Sequence, residues 1–168
     1  MTADTLVQTH ADLAFRVALR VVGDREDAAD AAQDALVKVW RHAATAPAGH
    51  ERAWVARVAR NAALDLLRRR AVRPRPLMGD ALVDDVSTTP LPDDVSESSE
   101  LRREIEAAIG QLDEPFRSII VLREIEGLAY NEIADALDLP LNTLKVYLHR
   151  ARRRLQAALR LAVPDLVP

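Results

Sequence analysis

The chain has 168 residues, enough for one ordinary domain or two small ones. It contains no cysteine, and its four histidines (His10, His42, His50, His149) share no ligand spacing, which argues against a disulfide framework, a metal site or a bound cofactor. Aromatics are 4% of the chain and alternating β-branched runs are nearly absent. The expected class is therefore all-α: two small helical domains joined by a flexible acidic linker.

The net charge of −3 argues against a free-standing protein that binds DNA tightly. Its distribution is uneven. Residues 1–70 carry 11 Lys+Arg against 9 Asp+Glu, residues 71–100 carry 2 against 7, and residues 101–168 carry 10 against 10. Arg16 and Arg20 interrupt the only apolar stretch near the N-terminus and no run approaches a membrane span, so a cytoplasmic protein without membrane insertion is expected.

A first helix is expected from about His10 to Val22, closed by Gly23-Asp24. In the next segment Asp24 or Asp27 can cap a helix whose packing face is Ala28, Ala32, Ala35, Leu36, Val39 and Trp40. Acid begins this helix and base ends it, so Asp27, Asp30 and Asp34 followed by Lys38 and Arg41 also suit the helix macrodipole with no functional role. Ala43 to Arg52, with Pro47 and Gly49, reads as a loop. A third helix is expected from Trp54 to Arg70, with Trp54, Val55, Val58, Ala62 and Leu66 lining its inner side. Arg57, Arg60, Asn61, Asp65, Arg68 and Arg69 fall on or near its outer side. Such an Arg/Asn row can bind phosphate and an unpaired base edge, and equally can be a solvated face.

Residues 71–100 hold Pro74, Pro76, Pro90 and Pro92 among Ser and Asp, with no helical period. They read as a linker that lets the two halves stay apart. Beyond it, Leu101, Ile105, Ala108, Ile109 and Leu112 make one helix. Asp113 caps another, with Pro115 in its first turn, Phe116, Ile119, Ile120 and Leu122 as core and Gly127 as stop.

The last elements are the most informative. Tyr130 to Leu137 has helical spacing, Asp138-Leu139-Pro140 interrupts it, and a longer helix follows, with Asn142 as its expected N-cap. Asp138 sits where a short polar side chain tolerates left-handed backbone. In the longer helix Leu144, Leu148, Ala151, Leu155 and Ala158 form one apolar stripe, while Lys145, His149, Arg150, Arg153 and Arg154 face elsewhere. A short helix, a turn and a longer basic helix is the arrangement that lays a recognition helix in the DNA major groove, with Asn142, Thr143 and Lys145 near its leading end.

Three signatures occur in order: DREDAADAAQDALVKVW, AWVARVARNAALDLLRR and GLAYNEIADALDLPLNTLKVYLHRARRRL. Together they resemble the bacterial RNA polymerase sigma factors of the sigma-70 family, specifically the compact extracytoplasmic-function (ECF) group. The resemblance covers roughly residues 10–70 and 101–160. It implies a region 2-like domain over 1–70 that docks on core RNA polymerase and captures the melted minus-ten element, a linker over 71–100, and a region 4-like helix-turn-helix domain over 101–168 that reads the minus-thirty-five element of promoter DNA. By motif position it implies polymerase docking by Asp30, Gln33, Asp34 and Lys38. It also implies minus-ten contacts by Arg57, Arg60, Asn61, Asp65 and Arg68, with Arg69 beside them, and major-groove reading by Lys145, Val146, His149 and Arg150, with Asn142, Thr143 and Arg153 on the same surface. An anti-sigma factor is a candidate further partner.

The chain departs from the usual pattern at Ala129, which removes a side-chain cap, at Asn142, at Val146-Tyr147, and at Ala56, where an aromatic is common. The expected function is to bind core polymerase and direct promoter-specific initiation by recognising and melting promoter DNA. The alternatives are a helix-turn-helix regulator that uses only the second half and a helical protein-interaction module. No paired carboxylates, Ser-His arrangement or Gly-rich phosphate loop points to an enzyme or to a small-molecule substrate.

Overall fold

The computed structural model describes residues 2–72 and 97–164, and every regular element among them is helical. Three helices form the N-terminal half: α1 (Ala3–Val22), α2 (Arg25–Arg41) and α3 (Glu51–Val72), with a 3₁₀ turn at Ala43–Thr45. α1 starts seven residues before the expected His10 because Thr2 caps it, the hydroxyl accepting from the Thr5 amide at 3.2 Å, and Leu6 extends the buried face. Gly23 ends it at φ 80°, its N–H reaching the Leu19 carbonyl at 2.8 Å. α2 takes its cap from Asp24, which accepts from the Asp27 amide at 2.9 Å.

The three axes meet on alanine. Ala14 and Ala18 of α1, Ala28, Ala31, Ala32 and Ala35 of α2, and Ala53, Ala56, Ala59, Ala62 and Ala63 of α3 are all buried. A methyl side chain lets neighbouring backbones approach closely while costing no rotamer entropy. This shifts the inner side of α3 from the one expected: Trp54, Val58 and Leu66 are only half-buried, and small residues take the centre. Trp40, expected on the packing face of α2, is 55% exposed, and its indole N–H donates to Asp4 at 2.9 Å.

The C-terminal half comprises α4 (Glu97–Gly110), α5 (Phe116–Ile120), α6 (Tyr130–Leu137) and α7 (Leu141–Ala162). The ends of the expected linker, residues 71–72 and 97–100, are helical; the rest of that stretch, with its expected flexibility, lies outside the described residues. α5 begins at Phe116, and Asp113 contributes a carbonyl to the Arg117 amide at 3.1 Å in place of a side-chain cap. Val121–Ile125 then widens into a π-helical turn that closes with the Glu126 amide on the Val121 carbonyl and Gly127 at φ 67°.

Between α6 and α7 the chain turns at Asp138 (φ 54°, ψ 47°), as its residue type indicated. α7 starts two residues earlier than expected. Pro140 stands at the cap position with no side-chain bond, its carbonyl accepting from Leu144 N–H, so Asn142 lies inside the first turn and is not the cap. Leu144, Leu148 and Ala151 are buried and Leu155 and Ala158 half-buried.

The two halves, which the sequence left free to separate, are in contact. α3 packs on α6, and α1 on α4 and the π-helical turn. Arg117 reaches across, donating to the Val21 carbonyl at 2.9 Å as well as to Leu112 and Gly110. Leu148→Ala should destabilise the C-terminal half by roughly 2–5 kcal/mol, the cost of truncating a buried leucine, read as a lowered thermal or urea midpoint. An unchanged midpoint would place Leu148 outside the core.

Candidate nucleic-acid interface and docking face

α7 divides its chemistry by face. Leu144, Leu148 and Ala151 point inward, while Asn142, Lys145, Val146, His149, Arg150 and Arg153 are exposed and Thr143 is half-buried. Val146 presents an exposed apolar side chain among these polar groups. A face of this kind offers fork and point donors to phosphate or base edges, with one apolar contact for a thymine methyl. Arg154, also expected on this face, instead lies over the Phe116 ring at 4.2 Å, and Phe116 in turn meets Tyr147 at 5.5 Å. Arg152 belongs to packing as well, pairing with Glu124 at 2.7 Å.

The motif is held from its N-terminal side. Ala129 offers no side-chain acceptor, but its own amide donates to Glu132 at 2.8 Å, which is half of a capping box. That backbone bond, and secondarily His50 at 3.2 Å, hold the Glu132 carboxyl below its ordinary value. Arg123 braces the same turn, donating to the Leu128 carbonyl at 2.8 Å while lying over the Tyr130 ring.

The α3 row is less uniform than its sequence pattern. Arg57 and Asn61 are exposed. Arg60 is not: its side chain is 14% exposed, with Nε donating to Ser118 at 2.9 Å and Nη2 3.6 Å from Glu114. Burial pushes its pKa down, and Glu114 opposes that shift. Arg68 bonds Asp65 at 3.0 Å, Arg69 lies 3.5 Å from Asp34 on α2, and Arg70 pairs with the buried Asp27. Arg69 therefore ties α3 to α2 in this arrangement.

On α2, Asp30, Gln33, Asp34 and Lys38 are all exposed. Gln33 also borders a groove between α1 and α2 lined by Val7, Phe15, Leu36, Val37 and Trp40. Val37 at 43% and Trp40 at 55% exposure make this groove an unusually apolar surface. The sequence reading placed Trp40 in the core and missed it as a surface group. Among the described residues no cluster of His, Cys, Asp or Glu could hold a metal ion, and no helix is long and apolar enough to cross a membrane.

Comparison with known proteins agrees with this geometry. Residues 6–73 match Sigma-70 region 2 and residues 102–155 match Sigma-70, region 4. The chain is 35% identical over 166 residues to the ECF RNA polymerase sigma factor SigL of Mycobacterium tuberculosis, covering 96% of this chain and 88% of that one. It is 34% identical to the ECF RNA polymerase sigma factor SigE of Mycolicibacterium smegmatis, over 91% of this chain but only 60% of that longer protein. Among solved structures, CnrH in complex with the cytosolic domain of CnrY aligns at a TM-score of 0.64 and 25% identity, covering 95% and 88% of the two chains. The sigma factor RpoE bound to the anti-sigma factor NepR from Bartonella quintana shares the fold at a TM-score of 0.69 and 20% identity, over 94% and 96%. The two matched regions and the level of identity define a sigma-70-type transcription initiation factor. The chain belongs to the ECF RNA polymerase sigma factor family.

Because its pKa is lowered in the folded state, Glu132 adds stability that is complete above the ordinary carboxyl value of 4.5 and is lost as pH falls through the folded value. The stability gap between wild type and Glu132→Gln, measured by urea unfolding across pH, should therefore narrow as pH drops below about 4.5. A gap that does not change with pH would remove this role.

Proposed function

We propose that the protein binds core RNA polymerase and directs promoter-specific initiation in the cytoplasm, contributing recognition and no catalysis of its own. The observation that carries this reading is the exposed row of Lys145, His149, Arg150 and Arg153 on a helix whose opposite stripe is buried. Residues 101–168 would act as the domain that reads the minus-thirty-five duplex, with Asn142, Thr143 and Val146 beside the cationic row. Residues 1–70 would act as the domain that docks on polymerase and captures the melted minus-ten strand, through Arg57, Arg60, Asn61, Asp65, Arg68 and Arg69. Residues 71–100 would connect the two domains. Docking is assigned to Asp30, Gln33, Asp34 and Lys38, together with the apolar groove that ends at Trp40. The net charge of −3 suits a subunit whose DNA contacts act only once polymerase holds it, since a tight free binder would be titrated by nonspecific sites. The complex of the sigma factor RpoE, which shares the fold, with the anti-sigma factor NepR supports an anti-sigma factor as a further partner.

Run-off transcription with purified core polymerase on a genomic library tests the reading as a whole; no specific transcript and no co-purification with polymerase would overturn it. Arg60→Ala with Asn61→Ala should spare polymerase binding but impair transcription from duplex promoters, with partial recovery on a pre-melted template. No defect on either template would remove them from the strand site. Trp40→Ala should weaken polymerase binding by ~30-fold, about 2 kcal/mol for an interface tryptophan, at unchanged helix content. Normal affinity would take the groove out of the interface.

Arg150→Ala should leave folding unchanged. If it loses a bidentate guanine contact, it should cost about 1–3 kcal/mol and relax preference at one base pair of a randomised minus-thirty-five element. A phosphate contact would weaken all promoters alike. A large drop in thermal midpoint, or unchanged transcription throughout, would overturn the face assignment.

A further inference from the structure

The exposed face of α7 resolves into two lines of residues spaced four apart. Asn142, Val146 and Arg150 make one, Lys145, His149 and Arg153 make the other, and all six are exposed. At about 100° per residue, the first line points about 170° away from the buried Leu144, Leu148 and Ala151, and the second about 130° away. The first therefore projects straight out from the domain, and the second leans toward one flank. Among the described residues none of these six side chains has a hydrogen bond, ion pair or ring contact within the chain. Their neighbours on the flanks are engaged: Arg152 with Glu124 at 2.7 Å, Arg154 over the Phe116 ring at 4.2 Å, and Tyr147 against the same ring at 5.5 Å. Those contacts fix how α7 is turned about its axis, and so which line points outward.

The two lines differ in chemistry. Lys145, His149 and Arg153 all present N–H donors, which suit phosphate oxygens and carry no preference among bases there. Asn142, Val146 and Arg150 present three unlike groups: an amide that donates and accepts, a branched apolar side chain, and a planar fork of donors. Each matches a different base edge, N6 and N7 of adenine, the C5 methyl of thymine, and O6 and N7 of guanine. From Asn142 to Arg150 the line spans about 12 Å along the helix, the rise of roughly three or four base pairs. Val146 is 49% exposed, so it gains by leaving water, and the thymine methyl is the apolar group that the major groove presents to it.

We infer that Asn142, Val146 and Arg150 read base identity, Val146 through the methyl group of a thymine, while Lys145, His149 and Arg153 hold the DNA backbone. This rests on the proposed assignment of α7 to the minus-thirty-five duplex and adds the bases it selects: an adenine, a thymine and a guanine, met in that order along the helix. The outward line sets sequence preference, and the flanking line sets affinity and register. Because the Val146 contact is to one carbon, it separates thymine from uracil, which pair identically with adenine.

The test uses the full chain bound to core polymerase, which selects from duplexes randomised across the minus-thirty-five element. The selected element should contain a thymine whose replacement by deoxyuridine, a change of one methyl group, weakens binding by about fourfold. Val146→Ala should abolish that difference, binding the thymine duplex about as weakly as wild type binds the deoxyuridine one. Asn142→Ala and Arg150→Ala should each relax selection at one further base pair. Lys145→Ala and Arg153→Ala should select the wild-type element, weaken every duplex alike, and lower the salt slope by about 1 each. The deoxyuridine comparison is made on wild type, so it stands whatever a variant does to folding. An element without thymine, or deoxyuridine tolerated at every position by wild type, would overturn the inference. So would relaxed base preference in Lys145→Ala or Arg153→Ala, or a uniform loss across all duplexes in both Asn142→Ala and Arg150→Ala. Failure of the underlying assignment shows differently and takes the inference with it: no element is enriched, and all five variants bind as wild type does.

Discussion

Burial of Leu144, Leu148 and Ala151 against α5 and α6 is the interaction on which the exposed chemistry of the C-terminal half depends. Each buried leucine contributes roughly 1.5–3 kcal/mol, more than any exposed ion pair on the same helix. With that stripe fixed inward, helical geometry alone sends Lys145, His149, Arg150 and Arg153 outward. The same rule explains which basic residues find partners within the chain while staying exposed: Arg152 and Arg154 stand on flanks of α7, where Glu124 and the Phe116 ring come within reach.

The N-terminal half solves a different packing problem. Its helices approach closely on alanine around Leu6, Leu13, Val17, Val21, Val39 and Val55, reinforced by the buried Asp27 with Arg70 and by Asp34 with Arg69. Close axes leave the larger side chains at the rim. Trp40, Val37 and Phe15 therefore line a groove that the helices themselves do not fill. A binding surface of this kind follows from how the core is packed.

The two halves meet through charge. Arg16, Arg52 and Arg60 face Glu126, Glu114 and Ser118, and the buried apolar residues of both halves form one contiguous cluster. The ion pairs at this boundary exchange hydration for contact and add little net stability of their own. The boundary also makes Arg60 unlike its neighbours on α3, although all of them share one sequence pattern.

Helical class, the turn at Asp138, the division of α7 and the membership of the ECF sigma family were legible in the chain itself, because each rests on local periodicity, turn chemistry or motif order. The start of α1 at Thr2 was legible in principle, since Thr2 is an ordinary cap residue, but hydrophobic spacing alone pointed to His10. Other features belong to tertiary structure. Which face of α3 is buried was decided by alanine contacts that hydrophobicity does not rank. The exposure of Trp40 was decided by how α1 and α2 pack, which leaves the indole at the rim bonded to Asp4, and the concealment of Arg60 by residues more than fifty positions away in sequence. Local spacing carries no record of such partners, because burial is set by what the rest of the chain brings to a side chain and not by the side chain itself.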